Sequence, residues 1–280
     1  MVYIDTMDGK TGLVDPLNSR EKGKELANDY ANALPFPNVV INDFLPREIG
    51  HMVLSELSNV RNSLKVEEFD RAQEKYKSNY NPESLPIPIR NLFYSFNSRP
   101  FIKVLENITG IKGLIPDPFF IGAGIHEIRQ GGHLSIHADF NHHKLMNLER
   151  RINVLIYLNE DWLPEYGGQL ELWNNSMTKQ EHSIVPIFNR CVIFNTTSES
   201  QHGNPNPVSH PNGISRKSIA LYYYTSTWNQ SKRSHTTQFQ VRPNSQDKTD
   251  WKIKFTEFAN EFIPPVLHRA FWVMKNKLKV

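Results

Sequence analysis

Three residues of this chain are of types and spacing that could do chemistry together: His137, Asp139 and His202. His137 and Asp139 stand two apart in Leu134-Ser-Ile-His-Ala-Asp139, a stretch with the alternation of a strand. On a strand, side chains i and i+2 leave the same face, so an imidazole and a carboxylate converge on one side. His202, far downstream and just past the apolar run Cys191–Asn195, supplies a third donor. Two imidazoles and one carboxylate can occupy a triangular face of an octahedral Fe(II), leaving positions for a cosubstrate and dioxygen. A His-x-Asp pair alone is common and carries little weight by itself.

A second cluster adds weight. Arg216-Lys-Ser218 opens the strand-like run Ile219–Tyr224. Arg216 and Ser218 share a face and Lys217 takes the other, so a guanidinium and a hydroxyl can point where the metal ligands point. A guanidinium fork matches a carboxylate, and an arginine turned into a barrel is costly unless an anion meets it. A dicarboxylate chelating iron at one end and meeting Arg216 at the other accounts for both clusters. The other histidines read as ordinary: His126 and His133 as hydrogen-bonded strand residues, His142 and His143 in a polar loop, and His182, His210, His235 and His268 without a ligand-like partner.

The elements that must position these residues follow from periodicity. Residues 1–34 form a weakly patterned N-terminal extension with a short first strand and a loop or helix. The β-branched run 35–44, bounded by prolines, reads as a strand. A helix follows, with Pro46 in its first turn and Ile49, Val53, Leu57 and Val60 at helical spacing. Lys65–Pro88 is polar, holds several prolines, and reads as a long surface excursion of the kind that borders binding sites. A second helix runs from about Pro100 to a stop at Gly110. Short strands then come in series at 118–128, 133–138, 151–158, 169–173, 182–186, 190–195 and 216–226, with Gly131-Gly132 and Gly167-Gly168 as turns between them. Such a series predicts a mainly β sandwich, barrel or jelly roll with flanking helices. Beyond Trp228 a polar stretch leads to helical segments from Trp251, broken at Pro264-Pro265, with Phe255, Phe258, Phe262, Phe271 and Trp272 as a buried face.

His137-x-Asp139, His202 and Arg216-x-Ser218, in this order, resemble the non-haem Fe(II)/2-oxoglutarate-dependent dioxygenases. Tyr157-Leu-Asn159-x-x-Trp162, followed by Gly167-Gly-Gln-Leu-Glu-Leu172, and the opening Phe36–Pro46 are similar to the prolyl 4-hydroxylase-like branch. The resemblance covers about residues 35–228. It implies a double-stranded β-helix (jelly roll, cupin-like) with its core at about 115–228, Fe(II) held by His137, Asp139 and His202, and 2-oxoglutarate held by Arg216, with Tyr157 and Ser218 as further contacts. It also implies O2 as co-reactant, ascorbate as an accessory reductant, and hydroxylation of an unactivated C–H bond with succinate and CO2 as co-products. The aspartate at 139 favours hydroxylation over halogenation, since halogenating relatives have a small residue there. The substrate expected is a prolyl or other amino-acid residue in a protein or peptide, with a free amino acid or other small molecule as the alternative. Arg129, Trp173 and the loop Phe140–Arg150 are expected at the mouth.

Composition sets the outer bounds. With 280 residues, 39% hydrophobic and 22% charged, the chain can bury a sizeable core as one domain with extensions. Its one cysteine, Cys191, excludes a disulfide framework and multi-cysteine zinc sites. No apolar run is long enough to span a membrane, and the acidic start is unlike a secretory signal, so a cytoplasmic enzyme is expected. Of the net charge of +3, residues 229–280 carry ten Lys/Arg against four Asp/Glu, a basic C-terminal extension. A solvated helix face explains this without nucleic acid, which is not an expected partner. Two rival readings remain: a zinc hydrolase on the same ligands, which leaves Arg216 unexplained, and a non-catalytic jelly-roll binding module acting through the tail. Oligomeric state is not legible in the sequence.

Overall fold

The longest strand organises the molecule. In the computed structural model, which describes residues 1–60, 64, 66–229, 231–247, 249 and 251, the strands in chain order are β1 (Asn38–Ile41), β2 (Glu67–Arg71), β3 (Glu74–Tyr80), β4 (Ile115–Pro116), β5 (Gly124–Ala138), β6 (His142–His143), β7 (Leu148–Tyr157), β8 (Leu170–Trp173), β9 (Gln180–Ile184), β10 (Cys191–Asn195), β11 (Gln201–Asn204), β12 (Arg216–Thr225) and β13 (Gln238–Phe239). The helices are α1 (Ala27–Asn32), α2 (Arg47–Val60), α3 (Ile87–Phe96) and α4 (Arg99–Thr109).

While β3 runs along β5 from Ile125 to Leu134, the first half of β5 pairs with β12 and its second half with β11 and β13. It thereby passes from one side of a curled antiparallel sheet, ordered β1-β10-β7-β12-β5, to the other, β5-β11-β8-β9. The bend falls at Gly131-Gly132, where Gly131 has φ 75° and a Cβ on Gly132 would lie 2.7 Å from the carbonyl oxygen of Lys75. Those glycines were expected to separate two strands; they instead let one strand change sheets, because backbone without Cβ can bend and be approached closely. The result is the mainly β jelly roll with flanking helices that the sequence predicts.

Alternation along β7 shows how both faces are buried. Ile152, Val154 and Ile156 join the large core under the helices, with Phe101, Val104, Leu105 and Ile108 of α4. Tyr157 faces the other way, into the barrel with Leu170, Leu172, Val192 and Phe194. α2 matches its expected apolar face, with Ile49, Val53 and Leu57 buried, and α4 ends at Gly110 with φ 72°. Residues of the N-terminal extension enter the same core through Ile4, Met7, Val14 and Tyr30, and the only pairing there is an isolated bridge between Met7 and Val14 rather than a strand.

The structure departs from expectation in three further places. Lys65–Pro88 is not an irregular excursion: β2 and β3 form a hairpin, and β3 docks along β5 with Ser78, Asn79 and Tyr80 buried. Its polar composition hid it, since a strand whose partners are polar shows no apolar alternation. α3 was not anticipated because Pro86 and Pro88 flank its start; Pro88 sits in the first turn, where no helical hydrogen bond is lost. His202 lies on a strand of its own, β11, rather than just after β10. The expected C-terminal helices and their aromatic face lie outside the described residues.

Candidate active site

β5 and β11 run antiparallel with His137 directly opposite His202, and the i+2 relation from His137 carries Asp139 to the same side. The donor atoms of His137, Asp139 and His202 lie within 4.8 Å of one another. His137 Nε2 is 3.5 Å from Asp139 Oδ1, and His202 Nε2 is 3.3 Å from Asp139 Oδ2. Cis ligands of an octahedral ion with bonds of ~2.1 Å are separated by roughly 3 Å, so the spacing suits a facial triad.

Local hydrogen bonds aim the rings. His137 Nδ1 contacts the carbonyl of Ser135 at 2.8 Å, and His202 Nδ1 that of Ser200 at 2.9 Å. A carbonyl only accepts, so each Nδ1 carries the proton and each Nε2 presents its lone pair to the site. Burial pulls the His202 pKa below the ordinary histidine value, partly offset by Asp139, which favours the neutral ligand form. Burial alone would raise the Asp139 pKa, but the Arg150 guanidinium holds it well below the usual carboxylate range.

Arg150 and Asn153 were not singled out by the sequence, yet they hold Asp139. Asn153 Nδ2 donates to Asp139 Oδ2 at 2.7 Å, and Arg150 Nη2 stands 2.9 Å from the same oxygen. Arg150 Nε and Nη2 also donate to Asn153 Oδ1, at 3.1 and 2.7 Å. The guanidinium lies against the rings of Tyr222 and Phe140, at 3.5 and 4.4 Å from their centroids, and the side chain is 1% exposed. Two strong donors on Oδ2 leave Oδ1 as the oxygen available to a metal. A bulge explains why alternation missed Arg150. Tyr223 pairs with Ile152 but Tyr224 with Arg150, so Arg151 is skipped and Arg150 turns inward.

Arg216 is buried at the closed end of the cleft, 4% exposed, with its Nε donating to the carbonyl of Gly168 at 2.7 Å. Gly168 has φ 69°, and a Cβ there would meet Arg216 Cδ at 2.8 Å, so Gly167-Gly168 cradles the side chain. The Tyr157 ring lies 4.9 Å from the guanidinium carbon, and its hydroxyl is buried without a hydrogen-bond partner among the described residues. Ser218 lines the cleft on the same face as Arg216, while Lys217 points away towards Glu127. The cavity of about 210 Å³ is walled by Ile128, Leu134, Leu155 and Leu170 between Arg216 and the triad.

The mouth is built from elements outside the β core. The hairpin contributes Phe69, Arg71, Glu74 and Lys77, the loop after Asp139 contributes Phe140, and Thr237 and Phe239 come from the C-terminal segment. β13 pairs Phe239 with His137, and the two rings lie 5.5 Å apart. That segment is anchored further on by Arg242, which pairs with Asp247 at 2.9 Å and approaches Glu171 at 3.7 Å. Of the loop Phe140–Arg150 expected at the mouth, Phe140 lines the cleft and Arg150 is buried behind Asp139. Trp173 is not: it is buried beside Glu171, to which its indole donates. Arg129 lines a neighbouring groove and pairs with Glu68. His143, expected in a polar loop, is fully buried and 3.2 Å from Asp117, tying the loop after Asp139 to the turn before β5. His126 and His133 hydrogen-bond to backbone carbonyls, as expected.

Residues 123–224 match the family model of the 2OG-Fe(II) oxygenase superfamily. Among solved structures, the chain is similar to a prolyl hydroxylase from Trichoplax adhaerens in complex with a peptide fragment of the hypoxia inducible factor oxygen degradation domain. Identity is 19% and the TM-score 0.57, over 78% of this chain and 96% of that one. A Pseudomonas putida prolyl-4-hydroxylase matches at 16% identity and TM-score 0.51, over 72% and 98% of the two chains. HygX from Streptomyces hygroscopicus, with nickel, 2-oxoglutarate and hygromycin B bound, matches at 10% and 0.51, over 78% and 96%. At these identities the likeness is one of fold.

Fold, matched domain and converging donors together define a non-haem iron, 2-oxoglutarate-dependent dioxygenase. Residues 123–224 form a 2OG-Fe(II) oxygenase domain, and the fold that carries it is that of the prolyl hydroxylases it is similar to. Its Fe(II) and 2-oxoglutarate fit the residues present: a His-Asp-His donor set of the right hardness, and beyond it a buried guanidinium and an unpartnered buried phenol that call for an anion.

Proposed function

We propose that the protein hydroxylates an unactivated C–H bond of a prolyl or other amino-acid residue within a polypeptide, with His137, Asp139 and His202 as iron ligands and Arg216, Tyr157 and Ser218 around the far carboxylate of 2-oxoglutarate. Bound together, Fe(II) and 2-oxoglutarate supply the oxidising chemistry, in which dioxygen is divided between the product hydroxyl and succinate as CO2 is lost. The protein's part is ligation, orientation and exclusion of water. The two Nε2 lone pairs are held by the Nδ1–H bonds to Ser135 and Ser200. Asp139 offers Oδ1 while Arg150 and Asn153 occupy Oδ2. Arg216, fixed by Gly168, provides the fork for the distal carboxylate, and Leu134, Leu155 and Leu170 keep the space between dry.

The observation that favours a polypeptide is the shape of the entrance. The cavity, at about 210 Å³, is smaller than the ~300–1,000 Å³ of pockets that enclose a drug-sized ligand. It has room for the cosubstrate and one side chain. Beside it, sharing Gly122, runs an open groove lined by Val66, Asn79, Asn81 and Phe119–Ile121, which suits flanking residues of a chain. The test is succinate release in the presence of a prolyl peptide library, with each hit checked for a mass gain of one oxygen. Peptide-dependent succinate and oxygenated peptide, both abolished by Asp139→Ala, are expected. Turnover confined to free amino acids or other small molecules would overturn the polypeptide reading, and full activity in Asp139→Ala would overturn the ligand assignment.

A further inference from the structure

Resting on the assignment of this cleft as the Fe(II)/2-oxoglutarate site, we infer that the substrate carries negative charge beside the bond that is oxidised, as an acidic stretch of polypeptide. With iron and cosubstrate seated, the metal, the 2-oxoglutarate dianion, Asp139 and Arg216 sum to zero, and both ligand histidines are neutral. Among the described residues, the charged groups that remain along the cleft are Arg71, Lys77 and Arg150 against Glu74. The cleft as a whole is therefore doubly positive, and its outer part, Arg71 and Lys77 against Glu74, is net positive as well.

The single remaining acid is already engaged. The Glu74 side chain is 7% exposed; its Oε2 accepts from Arg71 Nε and Nη2 at 3.2 and 2.5 Å, and its Oε1 from Lys77 Nζ at 2.7 Å. A substrate ammonium would find no open carboxylate there. Donors are in excess instead. Arg71 is 48% exposed on its side chain, and its Nη1 has no acceptor among the described residues; the Lys77 ammonium gives one of its three N–H groups to Glu74.

The aromatic rings of the mouth repeat the pattern. Phe69 carries Arg71 and Lys77 at 5.7 and 5.1 Å, Phe239 carries Arg71 at 5.9 Å, and Phe140 and Tyr222 carry Arg150. Each ring that might have held a cationic substrate already holds a cation of the protein. The acids Glu68 and Asp70 alternate to the other face of β2, and Glu67 lines the adjoining groove rather than the cleft. His126, inside the cleft, is neutral: burial first, then the nearby Lys77 cation, brings its pKa down to about 3. A cationic ligand does not suit this mouth, whereas an Asp or Glu within a residue or two of the target does.

The experiment is an anaerobic titration of the Fe(II)- and 2-oxoglutarate-loaded protein, at low ionic strength, with Glu-Glu-Pro-Glu-Glu, Lys-Lys-Pro-Lys-Lys and N-acetylproline, read through perturbation of the charge-transfer absorption. The acidic peptide should bind at least about tenfold tighter than the basic one, and the gap should narrow as salt is added. Arg71→Glu, at a half-exposed position, should remove most of that preference while leaving the absorption before peptide addition unchanged. Equal or tighter binding of the lysine peptide, no response to the acidic peptide, or an undiminished preference in Arg71→Glu would each overturn the inference. N-acetylproline binding as tightly as the acidic peptide would move the carboxylate to a small acid and overturn the polypeptide part. Failure of the absorption to form with 2-oxoglutarate alone would instead overturn the cosubstrate site itself.

Discussion

Gly168→Ala is the substitution whose consequence can be worked most fully from the geometry. At φ 69° the residue is in the left-handed region, and the new Cβ would stand 2.8 Å from Arg216 Cδ. The backbone conformation costs about 1–2 kcal/mol for alanine, and relief of the clash requires Arg216 to tilt from the carbonyl that holds its Nε at 2.7 Å. A tilted fork loses a charge-assisted hydrogen bond to the distal carboxylate of the cosubstrate, about 1.5–3 kcal/mol, or about 10- to 150-fold in affinity. The triad lies on β11 and at the end of β5, away from this turn, so metal binding should change by no more than about twofold. Calorimetric titration of 2-oxoglutarate into the Mn(II)-loaded protein, with a separate Mn(II) titration, reads both quantities. An unchanged 2-oxoglutarate affinity in folded Gly168→Ala, or a parallel loss of metal affinity, would refute the assignment of Arg216 and its cradle.

Three further outcomes follow from the same contacts. Arg150→Met leaves the Asp139 carboxylate buried without its cation and should destabilise the metal-free protein by about 3–5 kcal/mol; saturating Co(II), which compensates the same charge, should recover part of that loss, and thermal melts with and without metal check it. Asn153→Ala removes the other donor to Asp139 Oδ2 and should alter the ligand-field spectrum of the Co(II)-loaded protein, whereas an unchanged spectrum would deny the clamp its role in setting which oxygen binds. His126 has a folded-state pKa depressed to about 3, so the stability it permits is complete above the unfolded value of ~6.5 and is lost as pH falls from there towards 3, with a slope of at most about 1.4 kcal/mol per pH unit. His126→Gln should flatten the denaturation midpoint over that window relative to the parent protein.

The proposed metal ligands were legible because a strand imposes a two-residue repeat that sequence displays directly: His137 and Asp139 needed only the alternation around them, and Arg216 and Ser218 the same. What supports those residues was less legible. Arg150 is turned inward by a bulge, a matter of pairing with Tyr223 and Tyr224 that no local pattern of Arg150-Arg151 reveals. The hairpin β2–β3 draws its stability from docking on β5 and from the ion pairs around Glu74, so its sequence looks like solvent-facing loop. Phe239 reaches His137 through two paired residues in a polar stretch, too short a strand to announce itself. The fold could be read from the strand series, but the substrate-facing wall is made by long-range contacts.

The measurement that tests the central claim most directly is anaerobic addition of Fe(II) and 2-oxoglutarate to the apo-protein, watched for the visible metal-to-ligand charge-transfer absorption of the chelate. The account predicts the absorption for the parent chain, none for His137→Ala, and a weakened cosubstrate affinity with the absorption retained at saturation for Arg216→Ala. Folded parent protein that shows no absorption at saturating iron and 2-oxoglutarate would contradict it.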